Sequence, residues 1–164
     1  MDEPLIPMDV KGLMMDPMSS VPIVILRHES SAKFLPIWIG VFEANAIALQ
    51  MEGVELPRPM THDLATRLIE ALGAELVKIV VCGLEEGTFF AEIVLRGAGG
   101  EVKVDARPSD AIALALRTGS EILVAESVLE KAKGDERTER LSKEEKVKKW
   151  LEDLDPGDLG KYTM

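Results

Sequence analysis

Two short segments place a cation, a hydroxyl and a carboxylate at the start of a helix-forming stretch. They are Arg58-Pro59-Met60-Thr61-His62-Asp63 and Arg107-Pro108-Ser109-Asp110. A helix N-terminus offers unpaired N–H groups and partial positive charge, which seat an anion such as a phosphate oxygen. Arg58 and Arg107 would add forked donors to that anion, and Ser109 a hydroxyl. Asp63 and Asp110, with Glu43 in an earlier helical stretch, suit a hard divalent cation such as Mg²⁺ or Mn²⁺. Such an ion needs only one or two carboxylates beside water and substrate oxygens. His62 is placed to take a proton from water, because imidazole titrates near neutral pH. The same residues have a plainer use: Pro, Ser, Thr and Asp ordinarily start helices, and each arginine can pair with its own aspartate.

Other reactive types are sparse. Glu29 and Asp105 are further carboxylates, and His28 stands at a strand end between Arg27 and Glu29. With two histidines in the chain, a three-histidine metal centre is excluded. The single cysteine, Cys82, follows Val80 and Val81 and reads as a small apolar strand residue rather than a nucleophile. Glycine-rich dinucleotide and P-loop fingerprints, paired Cys-x-x-Cys, the His-Glu-x-x-His zinc motif and the Gly-x-Ser-x-Gly elbow are all absent. No organic cofactor is expected.

The elements that would hold these residues are legible from periodicity. Residues 8–16, 21–28 and 34–40 read as strands, the last of them nearly continuous in apolar residues from Leu35 to Ile39. Ala44, Ile47, Ala48 and Met51 then fall at helical spacing, and Gly53 stops that helix. Thr61 predicts the cap of a second helix over 62–72, with Leu64, Leu68 and Leu72 as its apolar face. The cycle restarts with strands at 76–82, 89–96 and 101–106. A helix follows over 110–117 with Ser109 as its cap, then an extended stretch at 121–125 and a short helix at 126–133. The tetrapeptide Ala-Ile-Ala-Leu occurs in both cycles, at 46–49 and at 111–114. The order strand-strand-strand-helix-helix, twice, predicts an α+β domain over residues 1–132, with repeats at about 8–73 and 76–132. Hairpin connections predict one curved, mostly antiparallel sheet. Residues 133–164 read as a charged linker and a C-terminal amphipathic helix. Ser142 to Glu145 form its capping box, and Val147, Trp150, Leu151 and Leu154 its stripe.

The chain of 164 residues carries a net charge of −10. Residues 1–132 hold 11 Lys+Arg against 20 Asp+Glu, a net of −9. That balance disfavours broad non-specific binding to nucleic acid while leaving room for a local basic cleft. No apolar run approaches membrane-spanning length and no leader is visible, so a cytoplasmic protein is expected.

Four ordered blocks resemble the bifunctional nuclease (BFN) domain family. They are Leu35-Pro36-Ile37-Trp38-Ile39-Gly40, Glu43-Ala44 with Ala46-Ile47, Arg58-Pro59 with Thr61-His62-Asp63-Leu64, and Arg107-Pro108-Ser109-Asp110 running into the second Ala-Ile-Ala-Leu. The resemblance covers roughly residues 8–131. It implies two β3α2 repeats sharing a barrel-like sheet, a small and dimeric cytosolic protein, and nuclease activity on DNA and RNA. Joined to the residues above, it predicts metal-assisted phosphodiester hydrolysis. His62, Asp63 and Asp110 would do the chemistry, Arg58, Arg107 and Ser109 would bind substrate, and Glu43, Asp63 and Asp110 would hold the cation. Two alternatives stay open. One is a non-catalytic binding or regulatory module for a phosphorylated ligand or a protein partner. The other is a structural homodimer built through Trp38 and its apolar neighbours.

Overall fold

The computed structural model describes residues 2–144. Strands β1 (Leu5–Met15), β2 (Pro22–Arg27) and β3 (Phe34–Trp38) come first, followed by helices α1 (Val41–Met51) and α2 (Thr61–Ala71). Strands β4 (Glu75–Glu85), β5 (Thr88–Gly97) and β6 (Gly100–Ala106) follow, then α3 (Pro108–Thr118), β7 (Glu121–Ala125), α4 (Glu126–Lys133) and α5 (Glu136–Lys143). All seven strands form one sheet in the order β3-β2-β1-β7-β4-β5-β6. The class is α+β, and the sheet is mostly antiparallel. It does not close into a barrel: β3 and β6 stand at its two edges. Both halves run β-β-β-α and then diverge, the second inserting β7 before its last helix. That extra strand is the seam between the halves, antiparallel to β1 and parallel to β4.

Local sequence explains these elements. In β2 the run Pro22-Ile23-Val24-Ile25-Leu26 is buried throughout, because β-branched residues there meet apolar groups on both faces. One face joins the main core. The other packs Ile23 and Ile25 against Leu141 of α5. The two Ala-Ile-Ala-Leu copies lie on α1 and α3, which pack against each other. Alanine at the contact lets the two backbones approach closely. Helix α3 ends at Gly119 with φ +67°, a left-handed cap that glycine adopts without strain.

Two expectations fail here for physical reasons. The apolar stripe of α2 does not face the core: Leu64, Leu68 and Leu72 are 48%, 55% and 85% exposed, and no α2 residue is buried. The helix instead docks by its polar side, through a hydrogen bond from His62 and an ion pair from Asp63 to α3. Residues 136–140, expected within a linker, belong to α5, which runs on to Lys143. Asp135 caps it, accepting from the backbone N–H of Arg137 and Thr138. Ser142 sits inside that helix, its hydroxyl donating to the Thr138 carbonyl at 2.7 Å. The rest of the expected C-terminal helix lies outside the described residues.

α5 is fastened by a buried knot. Asp16, 1% exposed, accepts from Trp38 Nε1 at 2.8 Å and from both terminal nitrogens of Arg140 at 3.0 and 2.8 Å. It also accepts from the Met18 N–H and the Ser19 hydroxyl. Arg140, then Trp38 and these local donors, hold its carboxyl far below the usual carboxylate range against the cost of burial. Arg137 lies over the Trp38 ring at 4.7 Å. Trp38 is thus engaged within its own chain rather than presented as an interface.

Candidate functional site

Three helix starts meet at one ion-pair network. At α1, Gly40 is the N-cap and Glu43 lies in the first turn, its carboxylate folded back over Gly40. A Cβ at position 40 would collide with Glu43 Oε2. At α3 the N-cap is Arg107, not Ser109, and Pro108 takes the first helical position, where its missing N–H costs nothing. From that cap Arg107 donates through Nη2 to Glu43 Oε1 at 2.6 Å and through Nε to Asp110 Oδ2 at 2.8 Å. Both carboxylates, Asp110 first, hold the guanidinium pKa above its usual value. The other oxygen of Asp110, Oδ1, lies 2.8 Å from His62 Nε2 on α2. The chain His62–Asp110–Arg107–Glu43 therefore ties α2, α3 and α1 together. The helix starters' plainer use is realised as well, since Arg107 pairs with its own aspartate.

A second set braces the first. At α2 the N-cap is Met60 rather than Thr61, and Asp63 Oδ2 accepts from its N–H at 2.9 Å. Asp63 Oδ1 accepts from Arg117 Nε at 2.7 Å. The Met60 N–H first, and then Arg117, hold the Asp63 carboxyl below its usual range. Arg117 is 6% exposed and also donates to the carbonyls of Ala113 and Ala46, at 2.9 and 3.0 Å. One arginine thus locks α1, α2 and α3 together beneath the network.

The remaining candidates fall elsewhere. Arg58 is exposed in the segment before α2 and makes no ion pair among the described residues. Ser109 is 6% exposed, and its hydroxyl has no hydrogen-bond partner among the described residues. The His28 ring accepts from Ser30 within its turn, Glu29 is exposed in the same turn, and Asp105 lies on the edge strand β6. Cys82 donates weakly to the Phe90 carbonyl, and burial followed by Glu92 pushes its thiol pKa up, which suits a structural residue. Sequence reasoning passed over Gly40, Arg117 and Asp16. For Gly40 the signal was a glycine three residues before a first-turn glutamate. Arg117, read only as a helix end, stands four residues after Ala113 on a face otherwise apolar.

The expected cation set was Glu43, Asp63 and Asp110. Their carboxylates are already matched by guanidinium groups: Glu43 and Asp110 share Arg107, and Asp63 pairs with Arg117. Among the described residues no three or more His, Cys, Asp or Glu side chains group as a metal centre does. The donor set therefore does not fit a resident divalent ion, because Arg107 already fills the place between Glu43 and Asp110 where it would sit. The arrangement suits proton transfer at His62 and anion binding at Arg107.

No helix among the described residues is long and apolar enough to cross a membrane. Two proteins of Mycobacterium tuberculosis are each 43% identical to this chain over 152 residues, covering 89% of it and 91% of their own length. They carry the names "Uncharacterized protein MT1877", in strain CDC 1551 / Oshkosh, and "Uncharacterized protein Rv1829", in strain ATCC 25618 / H37Rv. The model of the bifunctional nuclease domain matches residues 24–137, a span that takes in Glu43, His62, Arg107, Asp110 and Arg117. With the four sequence blocks in place on β3, α1, α2 and α3, the chain belongs to the bifunctional nuclease domain family.

Proposed function

We propose that this protein is a cytoplasmic nuclease that hydrolyses phosphodiester bonds in DNA and RNA. The observation that carries the reading is the hydrogen-bonded pair of Asp110 and His62 beside Arg107. Asp110 fixes the imidazole and leaves Nδ1, which has no partner among the described residues, to take a proton from water. The water oxygen forms its bond to phosphorus, the phosphorus–oxygen bond to the leaving strand breaks, and that oxygen takes a proton from solvent. Arg107 Nη1, also unengaged, donates to the phosphate as its charge grows. Arg58, exposed four residues before His62, meets the strand beyond the cleaved bond. Glu43 holds Arg107 in place, and Asp63 positions α2.

Purified protein should degrade single-stranded DNA and RNA, assayed with Mg²⁺, with Mn²⁺ and with a chelator. His62→Gln and Asp110→Asn should each lose about 10²–10⁴ of that rate. Undiminished cleavage by His62→Gln would place the activity elsewhere or in a contaminant.

We also propose a homodimer formed through α2. A short helix with its leucines outward is poorly stabilised alone. Arg67 and Glu70 flank the leucine face and make no ion pair among the described residues. An antiparallel two-fold pairing centred between Leu68 and Ile69 sets Arg67 of each copy opposite Glu70 of the other, a self-complementary match. Exposed Val54, Leu56 and Met60 extend the apolar patch beyond the helix. Sedimentation should give a mass near twice 18.0 kDa. Leu68→Glu should be monomeric with unchanged far-UV circular dichroism. Arg67→Glu should weaken the dimer, and Arg67→Glu/Glu70→Arg should restore it. A monomeric wild type, or a dimeric Leu68→Glu, removes this interface.

A further inference from the structure

Arg107 faces two ways. Besides joining Glu43 to Asp110, it lines a cleft of about 380 Å³ that contains neither carboxylate. The chain has 29 acidic and 19 basic residues, yet this cleft is lined by two arginines, Arg107 and Arg137, and by no Asp or Glu. Ser109, more than nine-tenths buried, lines it with a hydroxyl that has no partner within the described residues. The oxygen itself is not sealed off, since Thr138 Oγ1 is the one fully buried side-chain oxygen without a partner among the described residues, so it is open to a ligand in the cleft. The first turn of α3 lies on the same wall, so its unpaired N–H groups add to the attraction for an anion. The rest of the lining is apolar and aromatic. Of the chain's two tryptophans and four phenylalanines, Trp38 and Phe89 are here.

We infer that this cleft binds a single phosphorylated nucleotide unit, with its phosphate at Ser109, Arg107 and Arg137 and its ring against the aromatic wall. The volume suits one unit inside the cleft. Small-ligand pockets run from about 300 to 1,000 Å³, and this one lies at the lower end, too small for a continuous duplex. Joined to the proposed nuclease reading, on which only this last step rests, the cleft takes a strand terminus or the mononucleotide product.

Calorimetry on the full chain should show a nucleoside 5′-monophosphate binding at least about tenfold more tightly than either the nucleoside or inorganic phosphate. Arg137→Gln should weaken that binding about tenfold. Arg137 is 41% exposed, so its loss leaves the core intact. Ser109→Ala should remove a similar share, and Ser109→Glu should abolish binding through charge repulsion. No binding of the monophosphate at millimolar concentration, or affinity indifferent to both Arg137→Gln and Ser109→Glu, overturns the inference. Binding that persists in a protein with no nuclease activity sinks the catalytic reading and leaves the cleft standing.

Discussion

Replacing Asp16 by alanine tests whether α5 belongs to the folded body. The carboxylate is 1% exposed and accepts from five donors, so its removal strands several groups at once. Deleting one partner of a buried ion pair costs about 3–5 kcal/mol when the other charge stays trapped. Arg140 retains 29% side-chain exposure and can turn to water, which moves the figure to the low end. The part-buried Trp38 indole N–H, left without its acceptor, accounts for about 1–3 kcal/mol of that figure. About 3 kcal/mol in total lowers the melting temperature by about 6–12 °C for a chain of this size. Calorimetry gives that number, and tryptophan fluorescence in a Trp150→Phe background reports on Trp38. The pH dependence has a definite sign. The folded-state pKa of Asp16 lies below its unfolded value of about 3.9. Its contribution is therefore complete above that value and is lost as pH falls towards the folded-state value. Asp16→Ala should thus lose less stability than wild type on acidification. The double variant Asp16→Ala/Arg140→Ala should be little worse than Asp16→Ala alone. An unchanged melting temperature, or fully additive losses, refutes the knot.

Further outcomes follow from the network. Arg117→Ala unties three helices and should cost about 3 kcal/mol in denaturant titration, the low end because Asp63 is 32% exposed. A loss under about 0.5 kcal/mol would deny it that role. Gly40→Ala should push Glu43 off Arg107 and so match Glu43→Gln in nuclease rate, with no further loss when the two are combined. Additive losses would show that Gly40 acts by another route. Cys82 should react with a thiol reagent at pH 8 about tenfold more slowly than free cysteine, and a rate near that of the free thiol would mean the strand opens readily.

Much of the frame was legible because local periodicity carried it. The two Ala-Ile-Ala-Leu helices and the β-branched strands declare themselves by spacing, and the Arg-Pro segments mark two helix starts that do converge. The orientation of α2 was not legible, since periodicity reveals a stripe without saying which side faces the body. That choice is made by His62 and Asp63 finding Asp110 and Arg117, 48 and 54 residues away. α5 was hidden for a similar reason. Its stretch is almost wholly polar, and what docks it is Leu141 together with an ion pair to Asp16, 124 residues away. Of the candidate site, the sequence named Glu43, His62, Arg107 and Asp110 but assigned the carboxylates to a cation. That Arg107 already stands between Glu43 and Asp110 is a fact of three dimensions.

The position of β7 bears on how the protein is made. β1 pairs β2 on one side and β7 on the other, and β7 is the last strand among the described residues. On a ribosome, β1 to β3 emerge early and can zip together by local hairpins. The far edge of β1 stays open until residues 121–125 have been synthesised. At about 5–20 residues per second that wait lasts several seconds or more. Over that interval a naked strand edge invites pairing with any neighbour. The bulge at Lys11 falls on the β2 side, beyond the stretch of β1 that β7 covers. Residues Leu5 to Met8 are therefore the stretch that a nascent-chain chaperone, or a slow codon run placed after residue 125, has most reason to protect.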